Sequence, residues 1–254
     1  MSFIKGERML IRVSSLYRDT SHFFRHQWFN IILIAFLIAC ITILLNKTFM
    51  PSLDQIQVLN NKAVISSTNN LIEIIRNMSL QQQHVLLQVS AVGTFSSLVG
   101  NTMLLGGMLS LISMASSGKK VSALIALGAS IPSLSRLFLL ISLMTLSIQL
   151  GFMVLVFPGI LLSVLFALAP VILNTDKVGI LTSIQTSSQI GWSQIRLIAP
   201  PVMFWMLSKI FILLLISKLI SVPPDIASII LNTCSNVISA ILIIYLSRLY
   251  MLLN

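Results

Sequence analysis

The sequence has 254 residues, of which 56% are hydrophobic and 9% are charged, and its mean hydropathy is +0.99. A soluble globular domain is about a quarter charged, so this composition excludes one and indicates a membrane protein. Sixteen Lys and Arg against six Asp and Glu give a net charge of +10. Because the bases are scattered among long apolar runs, they indicate contact with anionic lipid headgroups and no nucleic-acid partner. Cys40 and Cys234 lie within apolar runs, so no disulfide framework is expected.

Uncharged apolar runs predict an all-α, polytopic membrane protein with about six transmembrane helices. The run 27–46 holds twenty uncharged residues, the length that a hydrocarbon core of about 30 Å requires. The run 137–175 holds thirty-nine uncharged residues, which is too many for one crossing. Pro158-Gly159 near its middle predicts two helices joined by a tight hairpin, with a re-entrant loop as the alternative. In one integral membrane domain, 1–254, the predicted spans are 27–46, 87–114, 137–157, 159–175, 197–217 and 226–247.

The predicted outer loop, 47–84, is rich in Asn, Gln and Ser and is too small for a core of its own. It is expected to pack on the outer membrane face. At its end, Ser79-Leu80-Gln81-Gln82 fits a capping box, so the second helix is expected to begin in water, before its predicted span.

The distribution of basic residues predicts the orientation. With the N-terminus inside, eleven bases are cytoplasmic and four are outside, while Lys209 lies within a span. This asymmetry follows the positive-inside rule and places both termini in the cytoplasm. The cytoplasmic bases are Lys5, Arg8, Arg12, Arg18, Arg25, Lys119, Lys120, Arg136, Lys177, Arg196 and Arg248, and the outer ones are Lys47, Lys62, Arg76 and Lys218.

The segment 8–26, before the first span, is predicted to be a basic amphipathic helix on the membrane surface. Its polar residues recur at helical spacing on one face, opposite apolar residues that include Leu16 and Tyr17. Such a helix suits a surface of anionic lipid. The predicted lipid-headgroup face consists of Arg8, Arg12, Arg18, His22 and Arg25.

Two further segments, 121–134 and 178–195, are predicted to be weakly charged surface helices that bind the membrane by apolar burial. All three segments open on a similar motif and are followed by an Arg and a span, which predicts three repeated units of surface helix plus helical hairpin. Coincidence in a low-diversity apolar sequence is the alternative. The predicted apolar faces include Leu124, Ile125 and Ile131 in the second segment and Leu181, Ile184 and Trp192 in the third.

Several motifs together closely resemble the YciC family, an uncharacterised family of multi-pass inner-membrane proteins of Gram-negative bacteria. The resemblance covers nearly the whole chain and implies an inner-membrane location, but no activity and no functional residues. Members usually begin at the position of Met9, so residues 1–8 are either an extension or a mistaken start. The motifs are Ser15-Leu16-Tyr17-Arg18-Asp19-Thr20, Val121-Ser122-Ala123-Leu124, Phe166-Ala167-Leu168-Ala169-Pro170, Asp176-Lys177-x-Gly179 and Asn232-Thr233-x-Ser235-Asn236 through Arg248-Leu249-Tyr250.

No motif for catalysis, phosphate binding, dinucleotide binding or metal binding is found, so no catalytic residue, cofactor or metal site is predicted. His22 and His26 have the spacing of a metal pair, but no carboxylate or thiolate completes a site. All six acidic residues lie at or outside the membrane edge, which argues against a proton relay within the bilayer.

Lys209 and a polar stripe on the sixth span form the candidate intramembrane site. Asn232, Ser235, Asn236 and Ser239 recur at i, i+3, i+4 and i+7, and lipid offers their polar groups no partner. We expect Lys209 to bind the side-chain oxygen of Asn232 or Asn236, with snorkelling to the outer surface as the alternative. Small residues at four-residue spacing predict close helix packing, namely Ser96 with Gly100, Ser147 with Gly151, and Gly159 with Ser163 and Ala167.

The sequence leaves three functions open. The favoured one is a non-catalytic inner-membrane protein of envelope organisation, lipid interaction or partner assembly, with anionic lipid and another membrane protein as candidate partners. The alternative is a small-solute permease or channel, and the third is a membrane enzyme that acts on lipid.

Overall fold

The computed structural model describes residues 3–52, 78–118, 121–216 and 224–253. These residues form helices and no strands, which confirms the predicted all-α fold. Six segments of them are long and apolar enough to cross a membrane, as the sequence predicts. The helices are α1 (Phe3–Phe49), α2 (Leu80–Ser116), α3 (Ala123–Val154), α4 (Val156–Phe166), α5 (Ala169–Asp176), α6 (Ile180–Ser193), α7 (Ile195–Ile216) and α8 (Pro224–Leu253).

The centre of the bundle is built by α1, α2 and α8. α1 packs most extensively against α8 and α2, while α3 covers a further side of α2 and α7 packs on α8. Ile34 and Ile38 of α1, Met108 of α2 and Ile244 of α8 are almost fully buried in one core cluster. Large apolar side chains such as Phe204 remain exposed on the outside of the bundle, as lipid-facing surfaces require.

The second helix begins where the capping motif predicts. Ser79 Oγ accepts a hydrogen bond from the amide of Gln82, and Gln82 Oε1 accepts one from the amide of Ser79. These bonds satisfy amides that a helix start leaves without intrahelical partners. α2 therefore starts seven residues before its predicted span at 87, as expected of a helix that begins in water. The loop residues 53–77 lie outside the described part of the chain.

The first predicted surface helix is not a separate element, and this prediction is wrong. α1 continues without a break through 47 residues, about 70 Å, so the segment 8–26 and the first span form one helix. Residues 8–49 contain no Gly or Pro to end a helix, and the end of α8 supplies an apolar partner. Leu16 and Phe23 are buried in the core, and the Tyr17 ring lies 5.4 Å from that of Tyr245 on α8.

The second predicted surface helix is also wrong as a separate element, because α3 runs without a break from residue 123 of that segment to residue 154 of the third predicted span. Two glycines of α2 let α3 approach closely. A Cβ atom on Gly107 would lie 2.7 Å from Leu127, and one on Gly106 would lie 3.1 Å from Ser130. Pro132 lies within the helix and does not end it. Packing against α2 therefore prevails over the local break that Pro favours.

The third predicted surface helix is confirmed as the separate helix α6. Its neighbours are α4 and α5. Small residues face them, since Ser183, Ser187 and Gly191 are buried. Leu181 and Trp192, from the predicted apolar face, are 69% and 65% exposed and are free to contact lipid.

The helical hairpin predicted in the run 137–175 is confirmed, but its turn is at Leu155 and not at Pro158-Gly159. Leu155 has φ −161° and ψ 155°, and it separates α3 from α4. Pro158 lies in the first turn of α4, where an amide would have no intrahelical partner, so its ring is tolerated. Gly159 instead serves packing, because a Cβ atom on Gly151 would lie 3.1 Å from the Gly159 Cα.

Candidate functional site

Lys209 is held between α7 and α8 by the polar stripe that the sequence singles out. Its Nζ donates a hydrogen bond of 3.1 Å to the backbone oxygen of Ser235 and a second bond to Ser235 Oγ. The same ammonium lies 5.5 Å from the centre of the Trp205 ring, within the range of a cation–π interaction. Trp205 and Lys209 are four residues apart on α7, so both side chains lie on the helix face toward α8.

Trp205 extends this network along α8. Its Nε1 donates to Ser239 Oγ at 3.0 Å, and Ser239 Oγ donates to the backbone oxygen of Ser235 at 3.1 Å. Ser235 and Ser239 are four residues apart, as are Trp205 and Lys209, so the two antiparallel faces match. The result is a continuous chain of hydrogen bonds between two adjacent spans.

The two asparagines of the stripe do not bind Lys209, so the expected Lys209–Asn pairing is wrong. Asn236 Nδ2 donates to the backbone oxygen of Ala35 on α1 at 3.0 Å. Asn232 Nδ2 donates to the backbone oxygen of Ser228 on its own helix at 2.8 Å. Side chains one residue apart on a helix point about 100° apart, which directs Asn236 toward α1 and Ser235 toward α7.

The site lies deep in the membrane-spanning part of the bundle. Ser235 is nine residues beyond Ile226, about 14 Å along α8 and close to the middle of the predicted span 226–247. At this depth a polar group gains from any protein partner, because lipid provides none. The network includes no carboxylate among the described residues, and it joins α8 to both α7 and α1. Its chemistry is therefore that of helix association.

A second polar feature lies at the end of the bundle where α1, α2 and α8 meet. It is a cavity of about 420 Å³, here called the bundle-end pocket. Of the predicted lipid-headgroup face, Arg18, His22 and Arg25 are exposed, and the side chains of Arg8 and Arg12 lie outside the described residues. The pocket is lined by Asp19, His22, Phe23, His26, Gln27, Ala115, Gly118 and Arg248.

Arg248 is the most unusual residue of the pocket. Its guanidinium carbon lies 5.1 Å from the centre of the Phe23 ring, so the cation stacks over an aromatic face. Its Nε is buried and has no hydrogen-bond partner among the described residues. Buried donors are nearly always satisfied, so this one requires an explanation.

Other contacts join neighbouring helices to the same end of α8. Tyr250 donates from its hydroxyl to Asp176 Oδ2 at 2.5 Å, and Tyr245 donates to the backbone oxygen of Leu197 at 2.9 Å. These bonds fix the end of α5 and the start of α7 against α8.

Sequence reasoning missed Trp205 and Arg248 as parts of these sites. Trp205 could have been found because it precedes Lys209 by one helical turn. In the sequence Arg248 has only the features of a charge that ends a span, and the packing of three helices is needed to show that it lines a cavity.

Metal ligation finds no support in the described residues, in which no group of three or more His, Cys, Asp or Glu side chains could hold a metal ion. The His22 and His26 rings stack with centroids 6.4 Å apart. Cys40 and Cys234 are both free thiols, as predicted.

The fold defines a polytopic α-helical membrane protein. Residues 9–252 match the model of an uncharacterised protein family, UPF0259, and the chain belongs to this family. The resemblance to the YciC family is thus confirmed, because the two are the same family.

Curated relatives agree with this assignment. A UPF0259 membrane protein of Serratia proteamaculans (strain 568) is 46% identical over 249 residues, which cover 97% of this chain and all of that protein. Similar proteins of Yersinia pestis (strain Pestoides F) and Yersinia pseudotuberculosis serotype O:3 (strain YPIII) are 45% identical, with 97% of each chain covered. No solved structure matches the chain.

Proposed function

We propose that this chain is a non-catalytic inner-membrane protein that binds anionic lipid at its cytoplasmic surface and thereby acts in envelope organisation. The excess of bases at one side supports a cytoplasmic position for both termini. Assembly with another membrane protein is compatible with this role.

One observation carries the proposal. Arg18 and Arg25 are exposed on α1 directly before its membrane-spanning part, while Leu16 and Phe23 on the same segment are buried in the bundle. The apolar residues of this segment thus serve packing, and its bases remain available to headgroups. Each such base contributes about 1 kcal/mol near an anionic membrane surface.

The permease or channel alternative has less support. It depends on polar side chains within the spans, and those of α7 and α8 bind each other or the backbone of α1. Solute flux into proteoliposomes would favour this alternative, and we expect none above that of empty vesicles.

The test compares the lipid that stays with the full-length protein when it is extracted from native membranes in polymer-bounded particles. We expect the wild type to enrich anionic lipid over the bulk membrane, and R18Q/R25Q to lower this enrichment by roughly thirtyfold at low salt, since two bases are lost. The matched control K47Q/K62Q removes two bases from the other predicted face and should change it little. Equal enrichment in all three proteins would refute the proposal.

A further inference from the structure

The bundle-end pocket lies at the level where three predicted spans end. Gln27 begins the first predicted span, Ala115 follows the second, and Arg248 follows the sixth. These three boundaries come from charge and hydropathy alone, yet the fold brings them to one cavity. A cavity at this level meets lipid headgroups.

The lining of the pocket carries both signs of charge. Arg248 contributes a guanidinium whose Nε lacks a partner, and His22 and His26 contribute imidazole groups from successive turns of α1. Asp19 contributes a carboxylate one turn away from His22 on the same helix. A ligand that fits this lining needs an acceptor-rich anion for Arg248 and a cationic donor for Asp19.

We infer that the bundle-end pocket binds one phospholipid headgroup that carries both a phosphate and a primary ammonium. The phosphate binds Arg248 and the two histidines, and the ammonium binds Asp19. A headgroup that has a phosphate and no cation would be repelled by Asp19. The inference rests on the proposed lipid-binding role only in placing this end of the bundle at the membrane surface.

The surroundings of the pocket favour a lipid over a free phosphoamine. Phe23 forms one wall of the pocket, and the next residues of α1 after Gln27 are Trp28 and Phe29, which are 55% and 64% exposed. Phe29 lies two turns beyond His22 on the same face of α1, so an exposed apolar side chain follows the pocket along the helix and suits acyl chains. The pocket volume of about 420 Å³ lies within the usual range of small-molecule sites.

The test is native mass spectrometry of the full-length, delipidated protein titrated with three lipids that share the same acyl chains. Phosphatidylethanolamine has a phosphate and a primary ammonium, phosphatidylcholine has an ammonium without N–H donors, and phosphatidylglycerol has no cation. We expect the first bound phosphatidylethanolamine to bind about tenfold more tightly than either of the others, because only it satisfies Asp19 by charge-assisted hydrogen bonds.

Variants separate the two halves of the site. D19N, at an exposed position, should remove the preference for phosphatidylethanolamine. R248Q should weaken the binding of all three lipids. R248K keeps the charge and tests whether the planar guanidinium matters if R248Q folds poorly. K47Q, at the other end of α1, is the control and should retain the preference.

Three outcomes would overturn the inference. They are equal binding of the three lipids by the wild type, a preference unchanged in D19N, and displacement of the lipid by an equal concentration of soluble phosphoethanolamine. The anionic enrichment of the wild type and of R18Q/R25Q is measured independently, so failure of the proposed function is distinguishable from failure of this site.

Discussion

At the scale of single residues, Lys209 shows how one charge is accommodated within predicted spans that otherwise hold none. An unpaired ammonium near the bilayer centre costs about 2.5 to 3.5 kcal/mol on insertion scales. Two oxygens of Ser235 and the Trp205 ring offset part of this cost. Because interhelical hydrogen bonds in membranes contribute only about 0.6 kcal/mol each on average, the charge remains destabilising by about 1 kcal/mol.

We therefore expect K209M to insert and fold with a stability about 1 kcal/mol above that of the wild type, because the desolvation cost that Met avoids exceeds the contribution of the lost contacts. W205F should be destabilised by about 0.5 to 1.5 kcal/mol, because Ser239 loses its donor. Thermal unfolding in detergent measures both. Loss of the anionic-lipid enrichment in an inserted and stable K209M protein would show that the stripe forms a functional site and does not only join helices.

Gly100 is the residue at which packing allows no side chain. A Cβ atom there would lie 2.3 Å from Thr42 Oγ1, and that hydroxyl is held by its bond to the backbone oxygen of Ile38. We expect G100A to destabilise the protein by about 1 to 3 kcal/mol, the usual cost of overpacking.

Gly93 provides the control for this substitution. It lies on the same helix, and a Cβ atom added to it would meet no neighbouring side chain or helix within 4 Å, so G93A should be neutral or stabilising by up to about 1 kcal/mol. T42A should rescue G100A, since it removes the atom that clashes. If G100A and G93A unfold at the same temperature, α1 and α2 are not in contact at this point.

At the scale of elements, α6 acts as a clamp on the broken helix formed by α4 and α5. α4 ends at Phe166, where a helix leaves its last carbonyls to find other partners, and the Ala167 amide donates to the Val164 oxygen. Ser187 Oγ donates to the backbone oxygen of Leu165 at 2.7 Å, and a Cβ atom on Gly191 would lie 2.9 Å from the Leu165 Cα. Ser187 thus satisfies the Leu165 oxygen by a hydrogen bond, and Gly191 allows α6 to pack directly over the break.

S187A should destabilise this region by about 0.5 to 1.5 kcal/mol, because the Leu165 oxygen loses its partner. S188A is the matched control, since Ser188 Oγ donates only to Gln185 on its own helix. Hydrogen exchange should become faster at 165–172 in S187A and not in S188A. Unchanged exchange in both variants would contradict the clamp.

The sequence predicts the elements better than the breaks between them. Charges and Pro158-Gly159 locate six spans and one hairpin, because the cost of burying charge in lipid is a local property of the chain. Whether a surface segment joins its span in one helix depends on its partner. α3 is continuous because Gly106 and Gly107 of α2 accommodate it, and no pattern within 121–134 contains that information.

The candidate sites show the same difference between what is local in the sequence and what depends on a packing partner. Lys209 and the stripe are predictable together because both lie on adjacent spans across a short turn. The choice of Ser235 over Asn236 depends on where α1 packs, and the bundle-end pocket depends on three helices that are distant in the sequence.

At the scale of the whole molecule, the ends of the spans predicted to be cytoplasmic are joined to one another. The hydrogen bonds that join them connect Asn30 with Val121, Arg136 with Val178, Tyr245 with Leu197, and Tyr250 with Asp176. Each bond links one span end or connecting segment on the side predicted to be cytoplasmic to a different span end or connecting segment on that same side. A chain whose spans alternate across the membrane has this property only if these segments share one side.

The orientation of that shared side is the last prediction, and it follows from the bases. Eleven Lys and Arg accompany these ends and four lie at the opposite ends, so the positive-inside rule places the joined side in the cytoplasm. Alkaline phosphatase fused after residue 60 should be active, since that position is predicted outside, whereas fusions after residues 119, 177 and 254 should be inactive. Green fluorescent protein fused at the same four positions should give the opposite pattern, which controls for expression. An inactive phosphatase together with fluorescence at residue 60 would invert the assignment. The bundle-end pocket would then face the outer leaflet, and the basic face of α1 would lie outside the cell membrane.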